Sequence, residues 1–254
     1  MSFSLRPLSL NNLPPVTRGL VMGCFFGWLL EMAFSFKLNY YFVVVPFQVA
    51  HSGWLWQPFT YIFIHAGFWH FLFNAFMLWM LGSVIEPVLG SKKFLAYFLF
   101  CGVFAGLFTV AFGPNSIRPV IGASGAIYGL LYAFAALYPD QTIYMYFLFP
   151  MTARQFVALM AGISLILSFT TPNSGVANFT HLSGLAAGWL YFKAPGWFSR
   201  PERSYYKEEA QEALKEQERV DAILEKISRK GESALTGAER RALDEYARTK
   251  GGRA

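Results

Sequence analysis

Ser124 lies between glycines in Gly122-Ala123-Ser124-Gly125-Ala126-Ile127-Tyr128-Gly129, at the start of an apolar helical run. Far downstream, His181 is followed by Gly184 and Gly188 in a second apolar run. Serine and histidine are the nucleophile and base of hydrolytic chemistry, and proton transfer between them needs a separation of about 2.6–3.2 Å. Serine is short, so the two helix backbones must come close. Gly125 with Gly129, and Gly184 with Gly188, form the small-xxx-small faces that permit this approach. Tyr128, one turn below Ser124, is placed to pack on the imidazole and limit its rotation. His70 and Asn74 are four residues apart, hence on one helix face, and both can donate hydrogen bonds. With the Ser124 backbone N–H they make a candidate oxyanion site.

Other polar residues read as structural. His65 is expected to tie down the loop before the second span, and His51 reads as a plain loop residue. Glu86 is expected to cap or pair near the end of its helix. The phenylalanines at 68, 71, 73 and 76 read as lipid or helix packing. Each signal alone is weak: a Gly-x-Ser-Gly in a membrane helix is more often packing than chemistry, whereas a single His there more often marks function, and the inference rests on their conjunction.

The elements that carry these groups are membrane spans. Residues 1–192 hold only ten charged side chains, namely Arg6, Arg18, Glu31, Lys37, Glu86, Lys92, Lys93, Arg118, Asp140 and Arg154. A soluble core needs a charged shell, and this stretch cannot supply one. Polar groups in hydrocarbon are costly and therefore point to function. A span takes about 20 apolar residues, and six stretches qualify, near 18–37, 67–87, 93–113, 122–139, 152–170 and 175–194. Positive charge predicts their orientation: Arg6, Arg18, Lys92, Lys93, Arg154, Lys193 and Arg200 fall on one side, against Lys37 and Arg118 on the other. Both termini are thus expected in the cytoplasm. Spans two, four and six then run inward from the outer face, and His70, Asn74, Ser124 and His181 share a shallow depth.

The predicted fold is therefore all-α, a six-transmembrane-helix membrane domain over 18–196 after a cytoplasmic N-terminus, 1–17. The aromatic, proline-bearing segment 38–66 reads as a loop in the outer interface, and 143–149 as a short interfacial piece on the inner side. The tail, 197–254, is expected to form a cytoplasmic helical hairpin. Val220, Ile223, Leu224 and Ile227 keep helical spacing, Gly231 is a stop, and Thr236 with Glu239 has the form of a capping box before Leu243 and Tyr246. No chemistry is visible in the tail, which reads equally as a solvated extension or as a docking module for an unknown partner. The net charge of +6 comes from inner loops and this mixed-charge tail, and implies no nucleic acid. Cys24 and Cys101 lie in apolar runs and form neither a disulfide framework nor a metal motif; no cofactor is implied. Arg18 precedes the first apolar run without a clean cleavage site, so that span is expected to be a retained anchor.

Together these residues resemble the rhomboid family of intramembrane serine proteases. The similarity covers Trp56 to Trp189 through three motifs: His-Ala-Gly-Phe-Trp-His-Phe-Leu-Phe-Asn at 65–74, the Gly122–Gly129 string, and His-Leu-Ser-Gly-Leu-Ala-Ala-Gly-Trp at 181–189. The resemblance implies Ser124 as nucleophile, His181 as general base and no acidic third member. His70, Asn74 and the Ser124 amide would hold the oxyanion, supported by Tyr128, Gly122, Gly125 and Gly184. It implies a six-helix bundle with a water-filled outer cavity, and substrates that are other transmembrane segments, cut near the outer face after a small residue. It also implies that spans two and five separate to admit them. One departure is Trp56-Gln57, where many members carry Trp-Arg. The expected location is a bacterial cell membrane. Two other classes remain: a catalytically silent membrane chaperone on the same scaffold, and a small-solute or proton transporter using His70, His181 and Asn74 as a relay.

Overall fold

A computed structural model describes residues 13–145, 149–170, 175–194, 219–231 and 234–251, in two compact units that divide after Ser199. The first unit is a helical bundle. Its α1, Pro15–Phe42, begins with Pro15 at the position where a missing N–H costs nothing. Non-helical dihedrals at Phe34 break it, leaving Pro15–Phe34 as its apolar part. Then follow α2 (Pro46–Ser52), α3 (Gln57–Thr60) with a 3₁₀ turn at Tyr61–Phe63, α4 (Phe68–Leu89), α5 (Ser91–Phe112) and α6 (Ser124–Leu137). Two short antiparallel strands, β1 (Thr142–Met145) and β2 (Phe149–Thr152), precede α7 (Ala153–Thr170) and α8 (Gly175–Lys193).

Among the described residues, four helices are long and apolar enough to cross a membrane: the first part of α1, α4, α5 and α7. The expected loop 38–66 is mostly helical turns. Gly53 closes α2 with φ 72°, and the rings of Tyr41, Trp54 and Trp56 stack successively at 5.5 and 5.3 Å. Of the piece expected on the inner side, residues 143–145 and 149 are described and lie in β1 and β2, whose register sets Thr142 opposite Thr152.

Three helices surround the deepest packing. Tyr97, Phe94 and Phe98 of α5 and Leu130 of α6 are fully buried. The directions follow from close approaches at glycine. A methyl on Gly184 of α8 would strike the Gly125 carbonyl of α6, while one on Gly188 would sit 3.1 Å from the Gly129 oxygen. Positions 125 and 129 thus meet 184 and 188 in the same order, so α6 and α8 run parallel. Against α5 the order reverses, since Gly102 approaches Ala126 and Gly129 approaches Cys101, four residues beyond Gly125 but four before Ala105. Cys24 and Cys101 are both buried free thiols.

At the opposite end of α4, Glu86 is buried and its carboxylate accepts from the backbone N–H groups of Val16 and Thr17, at 3.0 and 2.7 Å, and from the Thr17 and Ser91 hydroxyls, each at 2.7 Å. The negative charge sits against the unpaired N–H groups of α1, where helix termini favour anions. This pins the start of α1 to the end of α4.

The second unit contains α9, residues 219–230, and α10 (Gly237–Gly251). Gly231 terminates α9 with φ 78°, its N–H bonding the Ile227 carbonyl at 2.8 Å. The Thr236 N–H donates to Glu239 at 2.7 Å, and the Glu239 N–H to the Thr236 hydroxyl at 3.3 Å, the reciprocal pattern of a capping box. Lys226 reaches across to Glu239 at 2.8 Å. Val220, Ile223 and Leu235 are buried, whereas Leu224 is exposed, turned from the face its neighbours share.

Candidate active site

α6 is short. Fourteen residues span about 21 Å, against about 30 Å of hydrocarbon, so its first residue need not reach a membrane surface. That first residue is Ser124. The chain arrives through an extended stretch bridged at Val120 to Val44, then turns at Gly122, whose φ of 107° suits glycine alone. A side chain there would also meet His70, 2.8 Å from both Cε1 and Nε2. The missing Cβ is what lets the His70 imidazole lie over the turn that carries Ser124.

The turn is anchored twice. The Gly122 N–H donates to the Tyr61 carbonyl at 2.9 Å, and the Ala123 N–H points to His65 Nε2 at 3.4 Å. The other ring nitrogen of His65 donates to the Phe63 carbonyl at 3.2 Å, which fixes the tautomer. His65 therefore holds the turn before Ser124 as well as its own loop. Burial, chiefly, and the nearby His70 push its pKa down to about 4. Its position five residues before His70 was the available signal; what it would bond was not.

His181 Nε2 lies 2.8 Å from Ser124 Oγ, within proton-transfer distance. Both residues are half-buried. The Tyr128 ring stacks on the imidazole, centroids 4.5 Å apart and planes 7° from parallel. Its hydroxyl lies 3.1 Å from Ser164 Oγ of α7, a residue with no distinguishing sequence signal. The seam beneath is tight, as the Gly184 approach to Gly125 requires; Gly125 also faces Ala105 and the Tyr61 hydroxyl. Buried Thr109 and Thr180 share a hydrogen bond of 2.6 Å, joining α5 to α8 one residue before His181.

Asn74 is buried one turn below His70, and its amide donates to the His70 carbonyl at 2.7 Å. One N–H of that amide remains for another acceptor. Its Oδ1 is buried without a hydrogen bond among the described residues. Gln57 is the residue at the Trp56-Gln57 departure. It is fully buried, accepts from the Val45 N–H at 3.0 Å and donates to Gln48 at 2.8 Å. His51, expected in a loop, lies in the last turn of the short helix α2, where it bonds Asn115 at 3.0 Å.

Residues 52–195 match the model of the Rhomboid domain. The chain belongs to the rhomboid family. Its helical membrane bundle is the one this family uses. Among its relatives, the putative rhomboid protease YdcA of Bacillus subtilis is 33% identical over 144 residues, 56% of this chain and 67% of YdcA. Rhomboid protein 1, mitochondrial, of Saccharomyces cerevisiae is 26% identical over 194 residues, 74% of this chain and 53% of that protein. Rhomboid protease GluP of Bacillus subtilis is 32% identical over 148 residues, 58% of this chain and 27% of GluP. The chain thus matches about half the length of the yeast relative and about a quarter of GluP. In the second unit, residues 207–249 match a family of unknown function (DUF6576).

Proposed function

We propose that this chain is an intramembrane serine endopeptidase with a Ser124–His181 dyad, cutting peptide bonds in or near the transmembrane segments of other membrane proteins. The observation that carries the reading is the 2.8 Å approach of two reactive side chains from separate helices at the head of a parallel glycine seam. With its proton on Nδ1, His181 accepts the Ser124 hydroxyl proton at Nε2 as Oγ adds to the scissile carbonyl. The imidazolium then protonates the departing amine, the C–N bond breaks, and an acyl-enzyme ester remains. Water attacks that ester by the same route, returning the proton to Ser124. The oxyanion falls to His70, the spare Asn74 N–H and the Ser124 amide. Membership in a family whose named relatives include proteases supports the same conclusion.

α8 and α6 complete the six spans of this reading, with both termini cytoplasmic by the Lys and Arg bias. Water must reach the dyad, and a short α6 whose first residue is recessed supports a wet cavity open to the outer face. A helical substrate is hydrogen-bonded internally and must unwind to be cut. Glycine, proline or polar residues near the scissile bond should therefore speed cleavage, and replacing them with leucine or isoleucine should slow it.

Purified full-length protein in lipid, given a generic transmembrane substrate, tests the proposal. Wild type should release fragments, while Ser124→Ala and His181→Ala should not. Equal product from the serine variant removes the protease reading. Binding without cleavage by the wild type would instead fit the silent chaperone.

A further inference from the structure

α7 is loosely held. Its buried residues are Ala153, Ser164 and Ser168, while Ile163, Leu165, Ile166 and Phe169 are exposed. Phe156 and Val157 near its start pack against the core, and Phe169 meets Phe179 of α8 edge to face at 5.8 Å, while the inward face between them carries the two serines. Ser168 spends its hydroxyl on the Ser164 carbonyl at 2.7 Å, within the same helix. Ser164 does not; its hydroxyl reaches the Tyr128 hydroxyl on α6 at 3.1 Å. The Tyr128 ring lies flat on His181, and His181 bonds Ser124. A continuous line of contacts therefore runs from α7 through Tyr128 to the imidazole and the nucleophile.

We propose that Ser164 is a positioning residue for the Ser124–His181 reaction, holding the Tyr128 ring parallel to the His181 imidazole through their shared hydrogen bond. This rests on the hydrolytic reading of the dyad. A tyrosine is free to turn about two side-chain torsions, and face-to-face stacking alone leaves it able to slide and tilt. A bond at the phenolic oxygen, the point furthest from the backbone, removes that freedom. Ser164 is buried, so its hydroxyl left without this partner would be desolvated and unsatisfied, a second reason to keep the bond. The geometry also makes the dyad sensitive to α7, since any outward displacement of that helix removes the hydroxyl that fixes the ring.

The test is a double-mutant cycle on the full-length protein in lipid, with Ser164→Ala, Tyr128→Phe and both together. Tyr128→Phe keeps the ring and loses only the hydroxyl. Each single variant should lower kcat about three- to tenfold with KM unchanged, and the double variant should fall no further than the singles, because both remove one interaction. Ser164→Thr, which keeps a hydroxyl, should recover most of the rate. A normal kcat in Ser164→Ala, a change confined to KM, or losses that multiply would overturn the proposal. So would a drop in Tm with normal kcat. Ser124→Ala separates the two claims: if it still yields product, the hydrolytic reading fails. The positioning claim is then decided by ¹⁵N-histidine spectra, in which the His181 ring signals should move alike in Ser164→Ala and Tyr128→Phe. Signals unmoved in either variant contradict it.

Discussion

The bundle closes two helix pairs in different ways. Between α6 and α8 the contact is made by absence: Gly125, Gly129, Gly184 and Gly188 let backbone meet backbone over two turns. Between α1 and α4 a glycine also admits a close approach, but of a side chain, a methyl on Gly82 lying 2.5 Å from Thr17 Oγ1. There, however, the ends are fastened by groups. The Glu86 carboxylate holds the first turn of α1, and at the other end Trp28 stacks on Phe71 with centroids 5.0 Å apart and planes 8° from parallel. A glycine seam sets distance, and the proposed Ser124–His181 dyad needs distance set to a few tenths of an ångström. A carboxylate latch sets which ends meet and tolerates small shifts.

The largest effect should come from disturbing the first seam. Gly184→Ala drives a methyl into the Gly125 carbonyl, one residue beyond Ser124, so α8 must move away and carry His181 with it. We expect kcat/KM to fall about a thousandfold, as for a misplaced reacting pair, together with a lower Tm. Near-normal turnover would break the distinction between the seams.

α4 sharpens the comparison, because it faces α1 on one side and the dyad on the other. Asn74→Ala should lower kcat by about two to three orders of magnitude, as loss of an oxyanion donor does, with little change in KM or Tm. A loss of stability with normal kcat would make Asn74 part of the packing. Glu86→Ala should do the reverse. It orphans buried donors at about 1–3 kcal/mol each, lowering Tm by several degrees while kcat per folded molecule stays near wild type. Glu86→Gln should be milder.

The smallest effect is a dependence on pH. In the folded state His65 is held neutral with a pKa of about 4, below the ordinary histidine value near 6.5 that it regains on unfolding. Between those values the unfolded chain binds a proton that the folded chain refuses. Its contribution to stability is complete above about pH 6.5 and is lost as pH falls toward 4. Thermal melts across that window should show Tm falling with pH, and the slope should shrink in His65→Gln. An unchanged slope would detach the turn before Ser124 from His65.

Much of the site was legible because it is written in residue types. Glycine at 184 and 188 announces close approach whatever lies opposite, and Ser124 and His181 name their own chemistry. The Thr236–Glu239 capping box was equally plain, since its partners are three residues apart. Glu86 was readable as a cap or pair, but not its partners, because backbone N–H groups about seventy residues away leave no mark in the sequence. The expectation of a loop over 38–66 erred where Pro46 and Gly53 bound a helix too short to show a periodicity. Ser164 had no signal at all, since one serine in an apolar helix looks like any other.

The dyad itself is most directly examined by fluorophosphonate labelling followed by peptide mass mapping. The account predicts one adduct, on Ser124, absent in Ser124→Ala and slowed about a hundredfold or more in His181→Ala. An adduct on another residue, or labelling of Ser124 at an unchanged rate without His181, would contradict it.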